Sequence, residues 1–248
     1  MRRSANALFH PRSVVWRVHG DVGSMMVGGI TSLLMQMLHP SVLAGVWDHS
    51  NFRADMHGRL RRTARFIATT TFDDREAAYV AINRVRMIHE KVTGVLPDGT
   101  PYRASDPELL GWVHVTETTS FLAAWVRYGN PLMSAADQDR YFAEMAAIGH
   151  AMGADPLPRS QAEARAIIKA MRPQLKADAR TEEVAKLILG RPGISPKDLP
   201  RMLAMQAAVD LLPDWARRMH KLSTSPLERP LVRAGTFGVA QTLRWAFR

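Results

Sequence analysis

Three observations predict an all-α fold built as a single helical domain over residues 1–248. Apolar residues recur at helical spacing, the segments that carry them open on capping residues, and strand patterns are scarce. Hydrophobic residues make up 46% of the chain and charged residues 23%, a globular balance over a length that can bury a sizeable core.

The helices follow in order. Val22 to Trp47 contains no Asp, Glu, Lys or Arg, which is long enough to cross a bilayer. It also contains Gln36 and the His39–Pro40 pair, and a proline there restarts a helix. Two buried helices joined at His39–Pro40 are therefore expected, with membrane contact the less favoured reading. Asp73-Asp-Arg-Glu76 offers a capping arrangement for a helix that should run to Gly94. Leu96-Pro-Asp-Gly-Thr-Pro-Tyr-Arg-Ala104 reads as a loop. Ser105-Asp-Pro-Glu108 starts the next helix, with Pro107 in its first turn and its end near Gly129. Further helices are expected over 134–150, 160–171, 181–189 and 202–212, and in the tail after Ala234. A Pro/Gly-rich break at 190–196 would separate a core from a C-terminal helical cap.

Composition excludes several chemistries. With no cysteine, the chain has no disulfide, zinc–thiolate site, iron–sulfur cluster or thiol nucleophile. The net charge of +10 invites anionic partners, but it comes mostly from scattered arginines, with no lysine run or zinc-finger spacing, so specific nucleic-acid binding is not expected. Arg2, Arg3, Arg12 and Arg17 precede no apolar run with a cleavage site, and the cytoplasm is the expected compartment. His-Glu-x-x-His, Gly-x-Ser-x-Gly, the dinucleotide fingerprint and the P-loop are all missing.

Two clusters carry candidate chemistry. In Gly58-Arg-Leu-Arg-Arg-Thr-Ala-Arg-Phe66, offsets of three and four put Arg59, Arg62, Thr63 and Phe66 on one side of a helix. They would form either an anion cradle over an apolar floor or a solvated basic face. In Arg84 to Val92, His89 follows Ile82 and Val85 on an aliphatic face, with Arg86 one turn earlier. That ring is either a satisfied core histidine or the proximal ligand of a haem iron, which needs an apolar slot with cations for its propionates. His39, His49 and His114 also lie near apolar stretches, and Glu117 is spaced to orient the His114 ring.

The motifs LLMQMLHPSVLAGVWDHSNF (33–52), GRLRRT (58–63), RVRMIHEKVTG (84–94) and YRASDPELLGWVH (102–114) resemble the mpaB-type oxygenase and rubber oxygenase catalytic domain family. The resemblance covers a core of about 15–155 and thins over the extension from about 156 to 248. It implies a globin-like core binding haem b, with His89 as metal ligand. Its Arg-x-x-His motif falls on Arg86 and His89, and its Arg-x-x-Lys/Arg-Thr motif on Arg59, Arg62 and Thr63 at the haem pocket. Arg62 and Thr63 are thus the catalytic candidates, and His114 is a further residue that would face the cofactor. The rubber-cleaving branch carries a lysine where Arg62 stands, a catalytic glutamate upstream of it, and a secretion signal. A guanidinium keeps its proton and does not ligate iron, and no glutamate occurs before residue 76. Polyisoprene cleavage is therefore not expected. A haem-dependent oxygenase or peroxygenase acting on a small apolar or prenyl-like molecule is the leading expectation. A haem carrier or gas sensor is one alternative, and a cofactor-free helical interaction protein is another.

Overall fold

In the computed structural model, residues 3–190, 199–222, 233–236 and 238 are described, and helices dominate them. The order is α1 (Val14–His19), α2 (Val22–Gln36), α3 (Pro40–His49), α4 (Met56–Phe72), α5 (Arg75–Lys91), β1 (Thr93–Val95), β2 (Pro101–Arg103), α6 (Pro107–Ala124), α7 (Ala135–Met152), α8 (Gln161–Met171), α9 (Ala179–Leu189), α10 (Leu199–Leu211) and α11 (Asp214–Met219). The all-α expectation is met. The likeness of the core to a globin is carried by the family resemblance alone.

The starts follow the side chains that precede them. Ser134 and Ser160 accept the N–H groups of Asp137 and Glu163, and Asp106 accepts those of Glu108 and Leu109. Asp178 and Thr181 form a reciprocal capping box that moves the start of α9 two residues ahead of the expected Thr181. The Asp73–Glu76 expectation is corrected. Asp73 closes α4 through its own N–H to the Thr69 carbonyl, while Asp74 stands at the N-cap of α5 and takes the hydroxyl of Ser4 instead of a helix N–H. Helix α5 stops at Lys91 rather than Gly94 because Gly94 enters a hairpin, pairing with Tyr102. The expected loop at 96–104 is thus partly strand. Tyr102 lies over Gly94, where a Cβ would meet its hydroxyl at 2.6 Å. The break at 191–196 and most of the tail lie outside the described residues.

The proline at position 40 acts as expected. His39 caps α3 by accepting the Ser41 N–H at 3.3 Å, Pro40 occupies the first turn, and α2 and α3 meet at 104°. Among the described residues no single helix is long and apolar enough to cross a membrane.

Helix α2 lies along α6, with α10 against α2 and α7 and α8 against α6. The contact is close because Gly28 has no side chain: a Cβ there would come within 2.9 Å of the Phe121 Cα and the Ser120 carbonyl. Two buried hydroxyls of α6 are satisfied within their own helix, while Thr119 Oγ1 has no partner among the described residues. Thr116 bonds Trp112 O at 2.8 Å and Thr118 bonds His114 O at 2.8 Å. After Ala124 the helix widens into a π turn, Trp125–Gly129, closed by the Asn130 N–H on Trp125 O at 2.8 Å. One hydrophobic core runs from Phe9 to Ala216 and takes in Ala164 of α8, Val184 of α9 and Ala207 of α10. Helices α4 and α5 form an antiparallel pair at its side, touching α1 and α7.

Candidate functional site

Helix α5 buries Ala78 and Ile82, and His89 lies on the same side two turns on from Ile82. Its Nδ1 is buried, and neither ring nitrogen has a hydrogen-bond partner among the described residues. Burial, followed by the cation of Arg59, lowers its pKa, so the imidazole is neutral near pH 7 with a free lone pair. Arg59 comes from the second turn of α4. It too is largely desolvated, and burial and then the neighbouring Arg62 weaken its hold on its proton. No carboxylate pairs with it among the described residues. An imidazole on α5 and a guanidinium on α4, both poorly hydrated and both without partners, therefore lie within electrostatic reach of each other.

Arg59 also lines a small apolar hollow with room for about one water molecule. Leu33 of α2, Met37 just past its end, Val46 of α3, Phe52, Met56, and Val184 and Ile188 of α9 form the other walls. Beyond Arg59, five successive residues of α4, 61–65, are exposed, so this turn is bare around its whole circumference. A helix turn without cover beside an uncompensated cation has the chemistry to meet a ligand bearing both apolar surface and negative charge, once the walls of the hollow part.

The other expected site residues separate. Arg62 points away to Asp55, 3.1 Å from its carboxylate, which also accepts the Gly58 N–H at 2.8 Å as the α4 cap. Those two contacts, the Gly58 bond first, hold the Asp55 carboxyl below its ordinary range. Thr63 is exposed and donates its hydroxyl to Arg59 O at 3.2 Å. Arg86 is exposed and has no ion pair among the described residues. His114 is buried against α7, where Gly149 and His150 are its neighbours. Burial lowers its pKa to about 4, and Glu117 does not orient it, since His114 Nε2 has no partner. His39 serves as a helix cap, and His49 donates from Nε2 to Thr93 O at 3.0 Å, so both are structural.

A second polar cluster was not visible in the sequence. Thr71 of α4 donates to Ile67 O at 2.7 Å, so its oxygen accepts from His19 Nδ1 at 2.8 Å. His19 Nε2 must then accept from the Tyr141 hydroxyl, 2.9 Å away. Burial lowers the His19 pKa to about 3, and burial with the nearby Glu117 charge raises that of Tyr141. Glu117 itself is pushed up to about 7 by burial. The two partners of His19 lie 52 and 122 residues from it along the chain, and no local spacing signals such a contact.

A family model described as ER-bound oxygenase mpaB/B'/Rubber oxygenase, catalytic domain, matches residues 16–245. The chain belongs to this family. No curated protein and no solved structure matches it. The mpaB/rubber oxygenase domain takes in α8 to α11 as well, well past residue 155, where the motif resemblance ends. That extent agrees with the shared packing of α8, α9 and α10 in the one core. The family is one of oxygenases. Of the arginines expected at the site, Arg59 is the one whose charge acts on His89.

Proposed function

We propose that this chain is a haem b-dependent oxygenase or peroxygenase acting on a small apolar or prenyl-like molecule, folded as a single domain. The observation that carries the reading is the neutral His89 ring, buried at Nδ1 and unpaired at both nitrogens, beside the desolvated and unpaired Arg59. Leaving these groups buried without partners costs stability, so a structure that keeps them has a use for them. Among the described residues no three His, Cys, Asp or Glu side chains converge to hold a bare metal ion. A metal on His89 would therefore take its remaining ligands from a cofactor, and a porphyrin needs one imidazole from the protein.

The donor set fits that group, an unpaired neutral imidazole with a desolvated cation nearby. His89 is not among the walls of the hollow that Arg59 lines, and those walls would have to part to admit a porphyrin. His89 would ligate iron through a ring nitrogen, and Arg59 would neutralise a propionate from the apolar hollow. Arg86 and Arg62, both at the surface, would reach a second propionate only by turning inward, and Arg62 would first leave Asp55. Thr63 would supply a hydroxyl by releasing the Arg59 carbonyl. Bound haem supplies the redox chemistry that inserts oxygen into an apolar substrate. Leu33, Met37, Val46 and Phe52 would give an apolar chain its walls if the hollow opened. His114, packed against α7, does not share this hollow. A cofactor-free interaction protein would have no compensation for the buried His89 and Arg59.

The test is the absorption spectrum of protein expressed with ample haem, wild type against His89→Ala. The wild type is expected to carry stoichiometric haem with a Soret band, and the variant to lose most of it. Full haem retention by the variant, with an unchanged spectrum, would overturn the assignment.

A further inference from the structure

The outer face of α5 has no task in that reading. Successive residues of a helix turn by about 100°, so Val80, Arg84, Met87, Ile88 and Lys91 share an arc of about 100°, opposite the side that holds Ile82 and His89. The apolar members stand in the open: Val80 is 64% exposed, Met87 57% and Ile88 52%. Tyr79, 43% exposed, flanks them. The two cations within the arc, Arg84 and Lys91, have no ion-pair partner among the described residues. Acidic side chains, Glu76 and Glu90, occur only at its margin. Helix α4 runs antiparallel alongside. Its exposed Arg61 and Arg65 are likewise without an ion-pair partner among the described residues.

We propose that the outer face of α5, with the exposed arginines of α4 beside it, docks on an anionic lipid membrane. A helix lying in a bilayer interface needs apolar side chains that enter the acyl boundary and cations that stay among the headgroups, interleaved along one face. This face has that composition, and its charge is opposite to that of acidic lipids. Phosphate binding by a nucleic acid would use the arginines but leave Val80, Met87 and Ile88 exposed without purpose. The surface requires no spanning segment and is independent of any cofactor. It would hold the α4–α5 pair, and the apolar hollow beside it, at the surface where a lipid-soluble molecule is found.

Sedimentation of the full chain with vesicles tests this, using phosphatidylcholine alone and phosphatidylcholine with 30% phosphatidylglycerol. Binding is expected only to the anionic vesicles and should weaken as salt rises. Arg84→Gln/Lys91→Gln and Val80→Ser/Met87→Ser should each reduce partitioning about tenfold or more. Removing the same charge on α8, Arg165→Gln/Lys169→Gln, should leave it unchanged. Circular dichroism checks that each variant keeps its helices. No binding, equal binding to both vesicles, or an equal loss in the α8 variant overturns the proposal, whatever the haem content. Capture by an acidic protein without vesicle binding overturns it as well.

Discussion

Helix pairs α2–α6 and α4–α5 are built on opposite terms. In α6, Leu110, Trp112, Val115, Phe121 and Leu122 are all buried, and Gly28 lets α2 approach until backbones touch. In α4 no residue from 59 to 69 is buried. The first pair packs closely and closes Thr116 and Thr118 on its own carbonyls, though His114 Nε2 and Thr119 Oγ1 of α6 stay buried without partners among the described residues. The second leaves an imidazole and a guanidinium uncompensated beside a helix turn that no described residue covers. Close packing leaves a ligand no way in, so the candidate site lies where packing stops.

The largest expected effect lies in the closed pair. Trp112 is fully buried, and Trp112→Ala should cost about 3–5 kcal/mol in denaturant unfolding. A cost under about 1 kcal/mol would mean that α6 is not the centre of the core.

Next in size is a dependence on pH. The Glu117 carboxyl stays neutral in the folded chain up to about pH 7, while its ordinary value is 4.5. Stability from this group is complete below about pH 4.5 and is lost as pH rises through about 7. His19 works in the other direction. It is neutral in the fold down to about 3 against an ordinary 6.5, so its contribution is lost as pH falls across that span. Melting temperature measured from pH 4 to 8 should fall at the alkaline end, and Glu117→Gln should flatten that fall. An unchanged slope in the variant would place the Glu117 carboxyl in water.

The smallest effect belongs to the open pair. His89→Ala in haem-free protein should shift unfolding free energy by no more than about 1 kcal/mol, because it removes an unpaired buried nitrogen along with little packing. A loss as large as that of Trp112→Ala would erase the distinction between the two pairs.

Local signals carried much of this architecture into the sequence. Ser134, Ser160 and Asp106 announce their helices because a cap acts within three residues, and the His39–Pro40 break shows for the same reason. His89 was legible as an unusual ring on an aliphatic face. The divergence of Arg59 from Arg62 was not, since both satisfy the same spacing and only Asp55, within hydrogen-bond reach of Arg62, separates them. The short hairpin at 93–103 reads in the sequence as a helix end at Gly94 and a loop from Leu96, because three-residue strands leave no periodic pattern. The Tyr141–His19–Thr71 chain joins helices distant in sequence, and only the folded backbone brings them together.

The π turn at Trp125–Gly129 has its own consequence for the helix that it ends. It stores one surplus amino acid, the mark an insertion leaves when a helix absorbs it instead of looping it out. Excising any one of the five would let ordinary winding resume and turn the last residues of the coil by roughly 100° about its axis. Tyr128, now fully buried, would swing out of the core, while the non-helical stretch at 130–134 would absorb the change before α7 begins. The count of residues in this single coil therefore decides which flank of its final turn faces inward.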